Sequence, residues 1–78
     1  MIEHQPNRKR FVASSQGQES VLEYRQIDNH VNFTRTYVPD ALRGQGIAKQ
    51  LVEAGLNWAK EQGYTIEADC WYVAKFLD

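Results

Sequence analysis

The segment Val38-Pro39-Asp40-Ala41-Leu42-Arg43-Gly44-Gln45-Gly46-Ile47-Ala48 constrains this chain more than any other. Pro39 has no amide hydrogen and closes the strand before it. From about Gly46 to Gln62 the pattern is helical: Ile47, Ala48, Leu51, Val52, Leu56 and Ala59 share one side, and Lys49, Gln50, Glu53, Asn57, Lys60 and Glu61 the other. Gly63 stands where a helix C-terminus favours left-handed backbone. A strand end therefore feeds a glycine turn that becomes the first turn of an amphipathic helix. The first amides of a helix have no intrahelical partner and lie at the positive end of its dipole, so this place suits a diphosphate. Gly44 and Gly46 would let a phosphate approach the backbone and let the turn use positive φ, and Arg43 adds charge at the mouth. A tight turn with no ligand would use the same two glycines. Two other phosphate loops are excluded: Ile47 follows Gly46 where a nucleoside-triphosphate loop needs Lys, and Lys49 stands where a dinucleotide fingerprint needs a third glycine.

The elements around this turn are short. Residues 1–9 read as a loose tail. Phe11 to Ser14 and Val21 to Ile27 read as a hairpin about Ser15-Gln16-Gly17-Gln18, and Asp28-Asn29-His30 as the next turn. Val31 to Val38 is a third strand whose alternation places Val31, Phe33, Arg35 and Tyr37 on one face and Asn32, Thr34, Thr36 and Val38 on the other. Tyr64 to Asp69 follows the long helix as a fourth strand, and Trp71 to Leu77 as a last short helix. The order β-β-β-α-β-α predicts an α/β (α+β) fold with a mixed sheet, antiparallel first and parallel across the helix. Trp58, Trp71, Phe33 and Phe76 read as packing residues.

Size and charge narrow the function. A chain of 78 residues and 9.0 kDa can bury only about three-fifths of its surface, which means one small core and a single domain over residues 1–78. A net charge of −1 argues against nucleic-acid or acidic-membrane binding by bulk charge. The lone Cys70 forms no internal disulfide, and without a CxxC or HxxxH pair no metal is expected. The first residues lack the apolar core of a signal peptide, and the apolar run Cys70 to Ala74 is too short to span a bilayer, so the expected location is cytoplasmic.

Arg43-Gly44-Gln45-Gly46-Ile47-Ala48 resembles the acetyl-CoA signature of the GNAT superfamily of N-acetyltransferases, which is Arg or Gln, two residues, Gly, one residue, then Gly or Ala. With Val21 to Arg25, Thr36 to Pro39, Leu51 to Ala54 and Cys70 to Ala74, the chain from Phe11 onward is similar to the small, single-domain members. The resemblance implies a sheet splayed between the third and fourth strands, with the pantetheine arm of acetyl-CoA in the gap. It implies a pyrophosphate on the amides of residues 43–48, helped by Arg43, and pantetheine hydrogen-bonded by the backbone of Tyr37 and Val38. It implies transfer of an acetyl group to an amine, in which Cys70 is an acyl acceptor or lines the thioester pocket; in the superfamily's commoner route the amine attacks acetyl-CoA directly, and Tyr72 then either protonates the departing thiolate or packs in the core.

Two departures qualify this. Many small members carry His where this chain has Arg35, and Arg is no base near neutral pH, so a cysteine–histidine mechanism lacks its histidine. His4, in the tail, and His30, in a turn, are expected to be exposed. The flanking elements with which larger acetyltransferases shape the acceptor pocket are also not expected here, leaving an open acceptor site or one completed by a partner chain, a second copy included. Three functions stay open on the sequence: an N-acetyltransferase acting on a protein or small amine, a non-catalytic CoA or acyl-CoA binding module, and an interaction domain with no cofactor.

Overall fold

The computed structural model describes residues 1–77. It comprises strands β1 (Ile2–Gln5), β2 (Arg10–Ser15), β3 (Gln18–Ile27) and β4 (His30–Tyr37), helix α1 (Ile47–Gln62), strand β5 (Thr65–Ala68) and helix α2 (Trp71–Ala74). Short 3-10 turns occupy Pro6–Arg8 and Asp40–Leu42. The five strands form one sheet in sequence order, antiparallel from β1 to β4 and parallel between β4 and β5, with α1 as the crossover. This is the expected mixed α+β architecture with one more strand at its start.

Residues 2–5 are therefore not a loose tail. β1 pairs with β2 from Ile2↔Ala13 to Gln5↔Arg10, and the His4 ring lies flat on Phe11 with centroids 4.1 Å apart. Four residues of which three are polar carry almost no strand signal, and the strand forms because Ile2 and His4 cover a core that other segments supply. Tight turns join β2 to β3 and β3 to β4. Gln16 and Gly17 both take positive φ between the paired ends Ser15 and Gln18, which suits the right-handed twist of a two-residue hairpin.

β4 departs from simple alternation. Glu23 faces Arg35 but Tyr24 faces Phe33, so Thr34 is an extra residue on β4, and its hydroxyl donates to the Glu23 carbonyl. Such a bulge shifts the side-chain parity by one. Val31 and Phe33 are fully buried beneath α1, whereas Arg35 and Tyr37 emerge on the opposite, solvent face, and Thr36 joins the helix side. The expected single row Val31-Phe33-Arg35-Tyr37 is broken at the bulge.

Helix α1 lies across the sheet with Leu51, Val52, Gly55, Leu56 and Ala59 inward. Gly55 sets the approach: a Cβ there would lie 2.7 Å from Leu22 Cδ2 and 2.9 Å from Phe33 Cε1. Burying side chains the size of Leu22, Phe33 and Leu51 contributes about 1.5–3 kcal/mol each. Gly63 ends the helix at a φ of 75°, its amide bonded back to the Lys60 carbonyl. The last helix is one turn, Trp71–Ala74, and the bonds Phe76 N–H to Val73 O and Leu77 N–H to Ala74 O carry the chain on as tighter turns.

Candidate functional site

The parallel ladder between β4 and β5 ends at Phe33↔Ala68, and one further bond, Cys70 N–H to Phe33 O, holds the strands together. Beyond it β4 runs on to Tyr37 with no paired strand on that side among the described residues, while β5 leads into α2. The sheet is splayed where the sequence resemblance placed the opening. Asn32 secures the apex: its side-chain amide donates to Asp69 Oδ2 at 3.1 Å and its carbonyl accepts from the Asp69 amide at 3.0 Å.

Two adjacent cavities with shared lining residues lie at the opening. The first, about 240 Å³, is lined by the glycine turn (Arg43, Gly44, Gly46, Ile47, Ala48 and Lys49) together with Val38, Leu42 and Tyr72. The second, about 350 Å³, is lined by Thr36, Cys70 and Trp71, and shares Val38, Arg43, Ala48 and Tyr72 with the first.

The turn has the form that the sequence predicts. Gly44 and Gly46 sit at φ of 83° and 79°, and a Cβ on either would meet no atom within 4 Å. The first helical bond runs from the Gln50 amide to the Gly46 carbonyl, and among the described residues the amides of residues 44–49 have no backbone acceptor. No acidic side chain stands in the first turn of α1. These donors, with Lys49 beside them, form a cradle for an oxyanion at the positive end of a sixteen-residue helix.

Other expected residues are placed less simply. The Arg43 guanidinium does lie at the mouth, but its Nε donates to the Val38 carbonyl at 3.1 Å and its Nη1 pairs with Asp40 at 3.0 Å. Val38 lines both cavities with its carbonyl already engaged. Tyr37 lines neither cavity, and its ring is on the solvent face with the Arg35 guanidinium 5.2 Å from its centre. Gln45 is exposed and lines neither cavity.

At the other end Cys70 precedes α2, and its Sγ lies 3.4 Å from the Thr36 hydroxyl. Burial pushes the thiol up, but hydrogen bonds from the Thr36 hydroxyl and from the amides of Val73, Tyr72 and Thr36 outweigh it and hold the pKa below the ordinary cysteine range. Thr36 was hidden in the sequence because strict alternation put it on the wrong face, and only the bulge brings it to Cys70. Trp71 is not a packing residue: it is 72% exposed and forms a wall of the second cavity.

Neither histidine joins this site. His4 is not exposed in a tail; it lies in an aromatic cluster with Phe11, Tyr24 and Trp58, its Nε2 joined to the Tyr24 hydroxyl at 2.7 Å. His30 heads β4 and bridges to Thr65 at 2.7 Å and Glu67 at 2.8 Å on β5. Arg35, where many small family members carry His, pairs with Glu23 at 3.3 Å.

A sheet split at a cysteine, facing a helix that begins at Arg-x-x-Gly-x-Ala spacing, defines an acetyltransferase-type fold. A sequence model of the GCN5-related N-acetyl-transferase family matches residues 10–78, and the chain belongs to that family. It is 37% identical to Protein NATD1 of Bos taurus, covering 97% of this chain and 70% of that one. Against the protein of the same name in Homo sapiens it is 35% identical with the same coverage, 97% and 70%. Its backbone is similar to the solution structure of a GCN5-like protein from Staphylococcus aureus, with a TM-score of 0.74 and 29% identity over 99% of this chain and 76% of that one. Among the described residues, no helix is long and apolar enough to cross a membrane.

Proposed function

We propose that this chain is an acetyltransferase that moves an acetyl group from acetyl-CoA to an amine. The observation that carries this reading is the single opening with unpartnered amides at one end and the Cys70–Thr36 pair at the other. The glycine turn fits a diphosphate: open space over both glycines, no acidic neighbour in the helix's first turn, Lys49 at its wall, and Arg43 there in an ion pair with Asp40. When bound, acetyl-CoA supplies a thioester whose carbonyl carbon takes the amine nitrogen as its C–S bond breaks.

The chain's own residues do the rest. The amides of residues 44–49 hold the diphosphate with Arg43 and Lys49 beside it. The edge of β4 at Tyr37, with the backbone of Val38 just past it whose carbonyl Arg43 holds, aligns the pantetheine arm. Tyr72 lines both cavities, which suits its hydroxyl to donate a proton to the departing sulfur. The acceptor amine attacks directly, positioned rather than chemically activated. A second reading, in which Cys70 takes the acetyl group first, is favoured by the lowered thiol pKa. Cys70→Ala tests the second: transfer near the wild-type rate ends the covalent route, and a thousandfold loss means that about 4 kcal/mol of transition-state stabilisation passes through that side chain.

The test of the function itself is calorimetric titration with acetyl-CoA and CoA of the wild type, Gly46→Glu and Ala48→Glu, followed by a panel of amine acceptors. Gly46→Glu also carries the strain of a side chain at positive φ, whereas Ala48 is helical and accepts Glu without it. Micromolar binding by the wild type, weakened about 100-fold (~2.7 kcal/mol) in folded Ala48→Glu, is expected. No binding at millimolar ligand overturns the reading.

A further inference from the structure

We propose that Lys75 is an acetyl acceptor of the chain's own site, modified in cis. The inference rests on the acetyl-CoA reading above and adds a named amine to it. The Lys75 ammonium lies 5.2 Å from the centre of the Trp71 ring and 5.4 Å from that of Tyr72. Those two rings are walls of the cavity that holds Cys70 and Thr36. The amine therefore rests on two aromatic rings that wall the chamber where transfer would occur, although Lys75 itself lines neither cavity. Among the described residues no acidic side chain lies within ion-pairing distance of it, whereas Arg10, Arg35 and Arg43 each have one. It is exposed, so small rotations about its flexible stem carry it off the rings without breaking a buried contact.

The remaining lysines are placed differently. Lys49 lines the glycine-turn cavity, where phosphate charge would keep it an ammonium. Lys9 is tied to the Pro6 carbonyl at 3.3 Å, and Lys60 is exposed in the last turn of α1. Lys75 alone among them approaches the Cys70 end. In the reaction the deprotonated Nζ attacks the thioester carbonyl carbon. An N–C bond forms, the C–S bond breaks, and the CoA thiolate leaves with the proton released from the nitrogen. The product is a neutral amide, so the Trp71 and Tyr72 rings lose their cation.

The experiment incubates the full chain with acetyl-CoA at several protein concentrations and follows each lysine by peptide mass spectrometry. Lys75→Arg, folded Ala48→Glu and heat-unfolded wild type run beside it, with calorimetric binding and an external amine panel measured on the same samples. The expected result is acetylation at Lys75 at least about tenfold faster than at Lys9 or Lys60, the advantage proximity gives. Its rate per molecule is independent of protein concentration, falls in Ala48→Glu to that of the unfolded chain, and no other lysine substitutes for it in Lys75→Arg. Even labelling of all lysines at the unfolded rate, or a rate proportional to protein concentration, overturns the proposal. External amines acetylated with Lys75 untouched overturns it while leaving the acetyltransferase reading intact; absence of acetyl-CoA binding overturns both.

Discussion

The half of the sheet beneath the C-terminal part of α1 and the half at its N-terminus are built from opposite materials. The first is closed by rings: His4 stacks on Phe11, Trp58 meets Tyr24 at 5.0 Å and Tyr64 at 5.5 Å, and Tyr24 meets Phe33 at 6.0 Å. The second is left open, with glycines in place of side chains, amides without acceptors, and a strand edge without a neighbour. A chain this small cannot bury enough surface to be rigid everywhere, so it concentrates apolar packing at one end and spends the other on polar backbone. The separation predicts that stability and ligand binding respond to different substitutions.

The largest effect is expected at the closed end. Tyr24 is 4% exposed and touches His4, Phe11, Phe33 and Trp58, so Tyr24→Ala should cost about 4 kcal/mol, a large share of a small domain's stability, measured by urea unfolding. Tyr24→Phe removes only the hydroxyl bonded to His4 and should cost about 1 kcal/mol with acetyl-CoA affinity unchanged. A parallel loss of affinity would break the comparison. Ala48→Glu is the converse case: the same titration should lose about 100-fold (~2.7 kcal/mol) in affinity while the unfolding midpoint barely moves.

Acid should act on the closed half first. Burial, then the charge of Lys9, holds the His4 pKa below the ordinary imidazole value, so the fold favours the neutral ring. A depressed folded pKa means that this contribution is present above the unfolded value of about 6.5 and is lost as pH falls through the folded one. Unfolding free energy should therefore drop below pH ~6.5 in the wild type and drop less in His4→Phe, which keeps the stacking on Phe11. Identical acid slopes in the two proteins would remove His4 from the account. At the open end, Thr36→Val should raise the Cys70 pKa, seen as a rightward shift in the pH dependence of thiol alkylation, with little change in stability.

The same division governs what could be read from the sequence. Arg43 to Ala48 lies within six consecutive residues, so its strand–turn–helix setting was visible, as were the amphipathic face of α1 and its Gly63 stop. The aromatic corner draws on residues 4, 11, 24, 58 and 64, which no local pattern links, and β1 is held by its ladder to β2, by Ile2 on the core and by the ring that corner gives His4. The bulge at Thr34 was invisible for a related reason. Inserting one residue leaves the composition of a strand unchanged and reverses every side chain after it. That reversal sends Arg35 and Tyr37 to solvent and delivers Thr36 to Cys70.

A modest effect is expected where the two halves meet. Gly55 is inside α1, where Ala would ordinarily gain about 0.5–1 kcal/mol from reduced backbone freedom in the unfolded chain. Here the added methyl would press on Leu22 Cδ2 and the Phe33 ring, both fully buried, so neither neighbour can withdraw into solvent. Overpacking of this kind costs about 1–3 kcal/mol and exceeds the gain, so Gly55→Ala should destabilise by about 1 kcal/mol. The strain has one outlet: the helix can lift from β3 and β4, and its N-terminus carries the amide cradle toward or away from Val38. A modest loss of stability in Gly55→Ala with a several-fold loss of acetyl-CoA affinity would show that the closed half sets the width of the open one. A loss of stability alone would show that the two ends are independent across the length of α1.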